Sequence, residues 1–437
     1  MQGNKESVKL TIVDKQSINK QYPRVLIINP YPIGAKCPIG IMLENLFREY
    51  PSTAILQYYT HSCEISEKIK FRSEQIILIS QFLTSIKHFI KKNMELNKHK
   101  KKGNVKEQDL MLRSTGVRST QLKSWVNLLV PVNIDNKLLK SIREFNPTVI
   151  YTQGYSYTML KYVNKLSKII ACPVIIHTLD DWMSTQYKRG FLSSIPFRAF
   201  NALFKSMLNN GRTHLVGSPA MQHFMYKEYH GKYEFVMNCC DYSSYLDKNN
   251  SLIMKIVYTG VLMLERYIIL DEIAKCINKL NTDAARFEFH IYAPNSQIEA
   301  YRDLMQQTII FHESVNHEKV YSLLTDSDIL VHVESFNPNV ICFTKYSLST
   351  KIPEYLASGR PLIYFGPMDI GVADFLEKNK IGIFVNNINE LKAQLLLLYS
   401  DHKYYKKVAF EAYKKGKEYF DATIMQDRLN RCLLDQL

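Results

Sequence analysis

The sequence predicts an α/β protein built on two doubly wound parallel sheets, one in each half of the chain. Three observations predict it. Short apolar runs of strand length recur, most of them lacking the alternation of a half-exposed strand, as strands buried on both faces do. Segments with helical apolar spacing separate these runs, which is the order that builds a parallel sheet. The series starts twice, near residues 24 and 255. The chain has 437 residues, more than the roughly 250–300 that a single core usually supports.

Residues 1–22 read as a polar leader. The run from Arg24 to Asn29 is a buried strand that Pro30 ends. A loop containing Pro32, Gly34, Pro38 and Gly40 follows, and Ile41, Leu43, Leu46 and Phe47 then share a helix face. Strand, glycine-bearing loop and helix open a doubly wound sheet. The unit recurs as a strand at 148–151, a helix at 157–168, a strand at 173–176 and a brief strand at 215–216 before Gly217. Beyond the polar stretch 248–252 it restarts with a strand at 255–258 and Gly260, an alternating strand at 286–292, and apolar strands at 329–331 and 362–365. The implied organisation is a first domain over 1–247, a second over 248–420, and a terminal helix over 421–437 that returns to the first. The hinge falls at 241–254.

Residues 64–130 break this rhythm. Ile79, Phe82, Leu83, Ile86, Phe89 and Ile90 share one helical face, and the stretch 87–106 holds eight lysines and one glutamate. It reads either as an amphipathic helix on the core followed by a solvated basic loop, or as a membrane-surface anchor with lysines on anionic headgroups. Lys plus Arg number 56 against 41 Asp plus Glu, leaving +15, which favours an anionic partner. No RRM, KH, zinc or helix-turn-helix pattern accompanies the charge, so no nucleic acid is expected. The eight cysteines lack C-x-x-C spacing and read as reduced structural thiols. The polar start MQGNKESVKL has no signal-peptide core, and no apolar run approaches the roughly 18 residues of a spanning helix. These features imply a cytoplasmic protein. The membrane reading adds a peripheral contact with the inner face of the plasma membrane through 79–106.

The most informative stretch runs from Ser347 to Pro361, SLSTKIPEYLASGRP. Ser349 or Thr350 caps a short helix, Pro353 suits its first turn, Gly359 stops it, and Pro361 leads into the next strand. The helix start offers free N–H groups and partial positive charge, which suit a diphosphate, and Lys351 adds a full charge.

Here the chain resembles family 4 of the GT-B glycosyltransferases, especially the bacterial polysaccharide and cell-envelope members. Glu354 with Ala357, Gly359 and Pro361 matches the segment that closes the family's donor site. The resemblance implies that Glu354 binds the donor ribose and that Ser349, Thr350, Lys351 and Ile352 lie along the donor. Asp326 to Val331 and Tyr364 to Pro367 resemble its flanking strands. Asn29 to Gly40 resembles the family's first glycine loop, implying donor contact at Gly34 and acceptor contact at Gly40. His177-Thr178-Leu179-Asp180-Asp181-Trp182 resembles its acceptor-side segment, implying catalytic roles for His177 and Asp180 and acceptor contact at His177 and Asp181. Gly217 to Met221 resembles the turn before the interdomain linker. After the strand at 255–258, Gly260 and Arg266 fall at donor positions.

Two positions depart from the pattern. Tyr346 stands at the donor-side place of a family glutamate, and Val261 stands where a phosphate-binding arginine is usual, with Arg266 at the place of the lysine. The resemblance implies a GT-B architecture, two Rossmann-like domains facing each other across a cleft. It implies transfer of a hexose from a nucleotide-sugar donor to a glycan, lipid-linked or protein acceptor, with retention. No metal or other cofactor is expected, because Arg266 and Lys351 would hold the diphosphate. Asp326-Ser327-Asp328 has a D-x-D pattern but abuts a strand and reads as structural. On the residues alone, His177 also reads as a core histidine, Asp180 and Asp181 as helix caps, and Gly34 and Gly40 as turn glycines. The same architecture serves UDP-sugar epimerases, and Tyr346 and Val261 keep open a degenerate module that binds nucleotide-sugar or membrane without turnover.

Overall fold

The computed structural model describes residues 21–76, 125, 128–129, 131–182, 194–210, 212–248 and 251–437. The leader through residue 20 and the apolar stripe and lysine cluster expected at 79–106 lie outside the described residues.

The first sheet has seven parallel strands in the order β3-β2-β1-β4-β5-β6-β7. They are β1 (Val25–Asn29), β2 (Ile55–Tyr59), β3 (Arg72–Gln75), β4 (Val149–Thr152), β5 (Val174–Thr178), β6 (Thr213–Val216) and β7 (Lys232–Phe235). Every residue of β1, β4 and β5 is buried, which is why these strands appear in the sequence as unbroken apolar runs. Helices α1 (Pro38–Phe47), α2 (Asn136–Phe145), α3 (Tyr157–Ile170), α4 (Ser194–Leu208) and α5 (Pro219–Tyr229) accompany it. Their starts are chemically marked. The Cys37 thiol accepts from the Gly40 N–H ahead of α1, Ser156 caps α3, and Ser218 followed by Pro219 opens α5.

The second sheet has six parallel strands in the order β10-β9-β8-β11-β12-β13. They are β8 (Met254–Thr259), β9 (Phe287–Ala293), β10 (Ile310–Glu313), β11 (Ile329–Val333), β12 (Leu362–Phe365) and β13 (Ile383–Val385). With them come α6 (Arg266–Leu280), α7 (Asn295–Tyr301), α8 (His317–Asp326), α9 (Pro338–Thr344), α10 (Ile352–Ala357), α11 (Gly371–Lys378) and α12 (Ile388–Ser400). Strand order reverses between β1 and β4 in one sheet and between β8 and β11 in the other. At such a reversal the flanking loops diverge and leave a crevice at the carboxyl ends of the strands.

The chain then crosses back. Helix α13 (His402–Phe420) packs on α10 and α12, and α14 (Ala422–Leu434) packs on α1 and β6. The crossing is tied to the outgoing linker, because Cys240 N–H donates to Phe420 O at 3.0 Å and Ala422 N–H to Cys240 O at 2.9 Å. Apolar packing is continuous through this junction, from Leu43 and Phe47 through Leu429 and Phe420 to Leu356. The eight cysteines are all free. No helix among the described residues is long and apolar enough to cross a membrane.

Asp328 opens β11 and is fully buried. Its carboxylate accepts from Lys255 N–H at 2.8 Å and Ser251 Oγ at 3.0 Å, and Lys248 Nζ lies 2.9 Å away. It therefore stitches the start of the second sheet to the hinge. Removing a buried carboxylate leaves its donors stranded, a larger loss than the bonds themselves. Asp328→Ala should lower unfolding free energy in a urea titration by about 2–4 kcal/mol.

Candidate functional site

A cavity of about 320 Å³ opens between the two domains. The first contributes Lys36, Cys37, Pro38 and Ile41, and the linker contributes Asn238. The second contributes Thr259, Gly260 and Val261 at the end of β8, Tyr292 and Pro294 at the end of β9, Ser314, Val315 and His317 at the start of α8, and Thr350, Lys351 and Glu354 around α10. The second domain's wall thus lies at the carboxyl ends of its strands.

Lys351 is the centre of this wall. It is the N-cap residue of α10, and its ammonium approaches the backbone after β8 so closely that a Cβ on Gly260 would lie 2.5 Å from Nζ. The same Cβ would lie 2.6 Å from the Tyr258 hydroxyl, so close approach explains the glycine. Tyr258 offers its ring face 5.9 Å from Nζ. Among the described residues the ammonium has no hydrogen-bond acceptor. Burial, reinforced by the nearby Arg266 charge, brings its pKa down to about 8, while Glu354 and Glu334 act in the opposite direction.

Behind Lys351 lies a buried ion pair. Arg266, the first residue of α6, donates from Nη2 to Glu334 Oε1 at 2.7 Å, and Glu334 stands just past β11. His332 Nε2 lies 3.2 Å from the same oxygen. Burial would raise the Glu334 pKa, but Arg266 and His332 outweigh it and hold the carboxyl below its ordinary range. Glu334 Oε2 and Arg266 Nε are buried without partners. The turn that delivers Arg266 is strained: Leu264 and Glu265 both adopt left-handed backbone, with φ of 59° and 58°. Glu265 compensates by accepting from Ser335 Oγ and Asn337 Nδ2, both at 3.0 Å.

Glu354 sits in the first turn of α10 and accepts from His317 Nε2 at 3.1 Å. Thr350 is fixed from the linker, its carbonyl accepting from Asn238 Nδ2 at 2.7 Å. Gly260, Thr350, Lys351 and Glu354 therefore meet on one cavity wall, with Arg266 directly behind it.

Other expected residues fall elsewhere. His177 is fully enclosed in the first domain's core, its Nδ1 2.6 Å from the Tyr151 hydroxyl and its Nε2 2.9 Å from Val236 O. Burial lowers its pKa to about 4. This corrects the ligand-facing expectation, because the alternation of a doubly covered strand turns His177 inward. Asp180 accepts from Ser347 Oγ at 2.6 Å and so belongs to the seam between domains, where burial raises its pKa. Asp181 is buried beside it. Tyr346 also lies in the seam, stacked on Phe224 at 4.4 Å, and its carbonyl accepts from Ser218. It is not on the cavity, because the 345–347 turn packs against α5.

Ile352 is buried in the core. Ser349 turns to its own backbone, its Oγ accepting from Lys351 N–H at 3.4 Å. The expected Ser349 or Thr350 cap is replaced by Lys351 with no side-chain cap. Gly359 does terminate the helix region, with φ of 67°. Gly34 and Gly40 serve packing: a Cβ on Gly34 would lie 2.2 Å from Ile69, and one on Gly40 2.3 Å from Ala35 O. Their placement is that of turn glycines next to the cavity edge at Lys36 to Pro38.

The residues that the sequence did not expose are Glu334, His317, Tyr292 and Asn238. Glu334 carries a weak signal, as the first acidic residue past an apolar strand. The others depend on contacts between distant segments.

Known proteins share parts of this arrangement. The family described as Glucosyltransferase 3-like, C-terminal domain matches residues 270–416. No curated protein matches. Among solved structures, HepE of Anabaena in complex with UDP and glucose superposes with a TM-score of 0.63 at 13% identity, over 94% of this chain and 100% of that one. Sucrose-phosphate synthase of Thermosynechococcus elongatus gives 0.60 at 10% identity, over 93% and 98%. A glycosyltransferase of Rickettsia africae gives 0.58 at 11%, over 94% and 98%. The fold is therefore GT-B, two Rossmann-like domains facing each other across a cleft.

An anion favours the protonated form of Lys351, so its affinity should be constant at low pH and weaken as pH rises through about 8. Titration of sulfate, whose own charge does not change in this range, by calorimetry from pH 6 to 10 should show this decline, approaching tenfold per pH unit, and Lys351→Met should abolish it. Gly260→Ala should retain the fold at some cost in stability, because its methyl forces the Lys351 ammonium or the buried Tyr258 ring, held through its hydroxyl by Val261 O, to shift. It should nevertheless bind pyrophosphate at least about tenfold more weakly, a change of roughly 1.4 kcal/mol.

Proposed function

We propose that the protein is a glycosyltransferase of family 4 type that moves a hexose from a UDP-sugar to a hydroxyl of a glycan, lipid-linked or protein acceptor, with retention and without a metal. The observation that carries this reading is the unpartnered Lys351 ammonium beside Gly260, with Glu354 on the same cavity wall. A nucleoside diphosphate needs a cation for its phosphates and an acceptor for its ribose hydroxyls, and this wall presents both. The GT-B fold, the partial family match and the UDP and UDP-glucose complexes of HepE support the donor class.

The chemistry follows from where charge develops. As the bond from the sugar carbon to the phosphate oxygen breaks, the sugar becomes cationic and the leaving diphosphate gains negative charge. A fixed ammonium in a water-poor site stabilises that charge more in the transition state than in the ground state. Arg266, already paired with Glu334, reinforces the field from behind. Glu354 is the one carboxylate on the cavity wall among the described residues, and His317 engages it. A front-face path needs no further protein base. In it the acceptor oxygen bonds to the sugar carbon on the face that the phosphate leaves, and the acceptor proton passes to a leaving phosphate oxygen.

Thermal unfolding with UDP, GDP and ADP tests the donor site. A ligand at about a hundred times its Kd adds roughly 2.7 kcal/mol of stability. UDP is expected to stabilise the wild type and to lose most of that effect in Glu354→Ala. Absence of a shift with all three nucleotides would overturn the reading. Retention is checked by proton NMR of the product glycoside, where an inverted anomeric signal would refute the front-face path.

A further inference from the structure

His317 opens α8 at a position where the helix has no side-chain cap, since Asn316 makes no such bond. Its side chain turns instead to Glu354, with Nε2 3.1 Å from Oε1. The two residues occupy an unusual place. Behind the cavity described above lies a second, of about 380 Å³, walled by Asn45, Arg48, Cys240, Asp241 and Tyr321. His317, Glu354 and Val320 line both cavities, so the pair forms part of the partition between them.

A glutamate has three side-chain torsions and can swing between two open spaces. Holding it on one side therefore needs a tether. His317 is the tether, because it engages one carboxylate oxygen and leaves the other to accept. Its surroundings favour a donating imidazole. The bond to Glu354 holds its pKa above the ordinary value against the effect of burial, and Glu44 of α1 and Glu318 act in the same direction. Glu318 is itself paired with Lys68. An ordinary exposed ion pair would contribute little. This one sits where the orientation of a single carboxylate decides what the cavity presents.

We propose that His317 is a positioning residue that fixes Glu354 for the ribose diol of the donor nucleotide. The inference rests on the nucleotide-sugar reading above. It predicts a ligand-selective defect, because only a ligand with ribose hydroxyls uses Glu354.

Calorimetric titrations of UDP, 2′,3′-dideoxy-UDP and inorganic pyrophosphate would be compared in the wild type, His317→Ala and His317→Gln. His317→Ala should weaken UDP binding roughly tenfold, the size of coupling usual for neighbours in one network. The dideoxy nucleotide and pyrophosphate should bind it within about twofold of wild type. Retained affinity for those two ligands also shows that the variant is folded. His317→Gln keeps a donor at the same reach and should recover most of the UDP affinity. Unchanged UDP binding in His317→Ala would overturn the proposal, and so would an equal loss for all three ligands or no recovery in His317→Gln. If the wild type fails to bind UDP, the nucleotide reading itself falls, and this inference with it. UDP binding that is indifferent to His317 removes the inference alone.

Discussion

One carboxylate paired with a buried guanidinium sets the character of the cleft. Glu334 is buried within reach of Arg266 and His332, and its bond goes to Arg266. A buried arginine without that partner would be costly to fold around, whereas a paired one is tolerated. Glu334 gives one oxygen to Arg266 and its other oxygen reaches no partner, so the Lys351 ammonium has no hydrogen-bond acceptor among the described residues. Burial, with the Arg266 charge beside it, lowers its basicity. The surrounding structure is consistent with keeping it so. Gly260 withholds a Cβ, Tyr258 offers a ring face instead of an oxygen, and the strained turn at Leu264 and Glu265 brings Arg266 to Glu334. A protein selected only for stability would fill this place with an apolar side chain. A site that must receive a diphosphate needs the charge present before the ligand arrives.

Much of the fold was legible because burial on both faces writes itself into composition. The strands β1, β4, β5, β11 and β12 are largely apolar runs buried along their whole length, and their repetition gives two sheets without any long-range information. The interior strand β2 and the short edge strands β3, β7, β10 and β13 were not picked out. Arg72 to Gln75 is largely exposed, and Ile383 to Val385 has three residues.

At the site the division is sharper. Lys351, Glu354 and Thr350 lie on one local motif, and Gly260 follows a strand directly, so sequence spacing singled out residues that the fold brings to one cavity wall. His177 misled because position at a strand's carboxyl end says nothing about which face a residue takes when both faces are covered. Tyr346 misled because a place defined by counting back from Glu354 turned out to pack against Phe224 of the other domain. Glu334 and His317 escaped because their importance lies in partners, Arg266 and Glu354, that are brought to them by the fold.

Those partnerships extend across the cleft and explain why the second domain cannot be understood alone. Gln426 of α14 donates to Asn45 O of α1 at 2.7 Å, Asn45 donates to Asn238 of the linker at 3.0 Å, and Asn238 donates to Thr350 O. Each link joins a different segment: the returning helix, the first domain, the hinge and the turn that carries Lys351. The Asn238 amide suits this place because it accepts from Asn45 and donates to Thr350, so one bond fixes the orientation of the other. Ser347 to Asp180 and Ser218 to Tyr346 pin the other end of the 345–351 segment to the first domain. The segment that presents the cation is therefore held at both ends by groups outside its own domain. A rotation of one domain against the other would strain these bonds before it altered either sheet. The position of the cation is in this way coupled to the contacts between the domains.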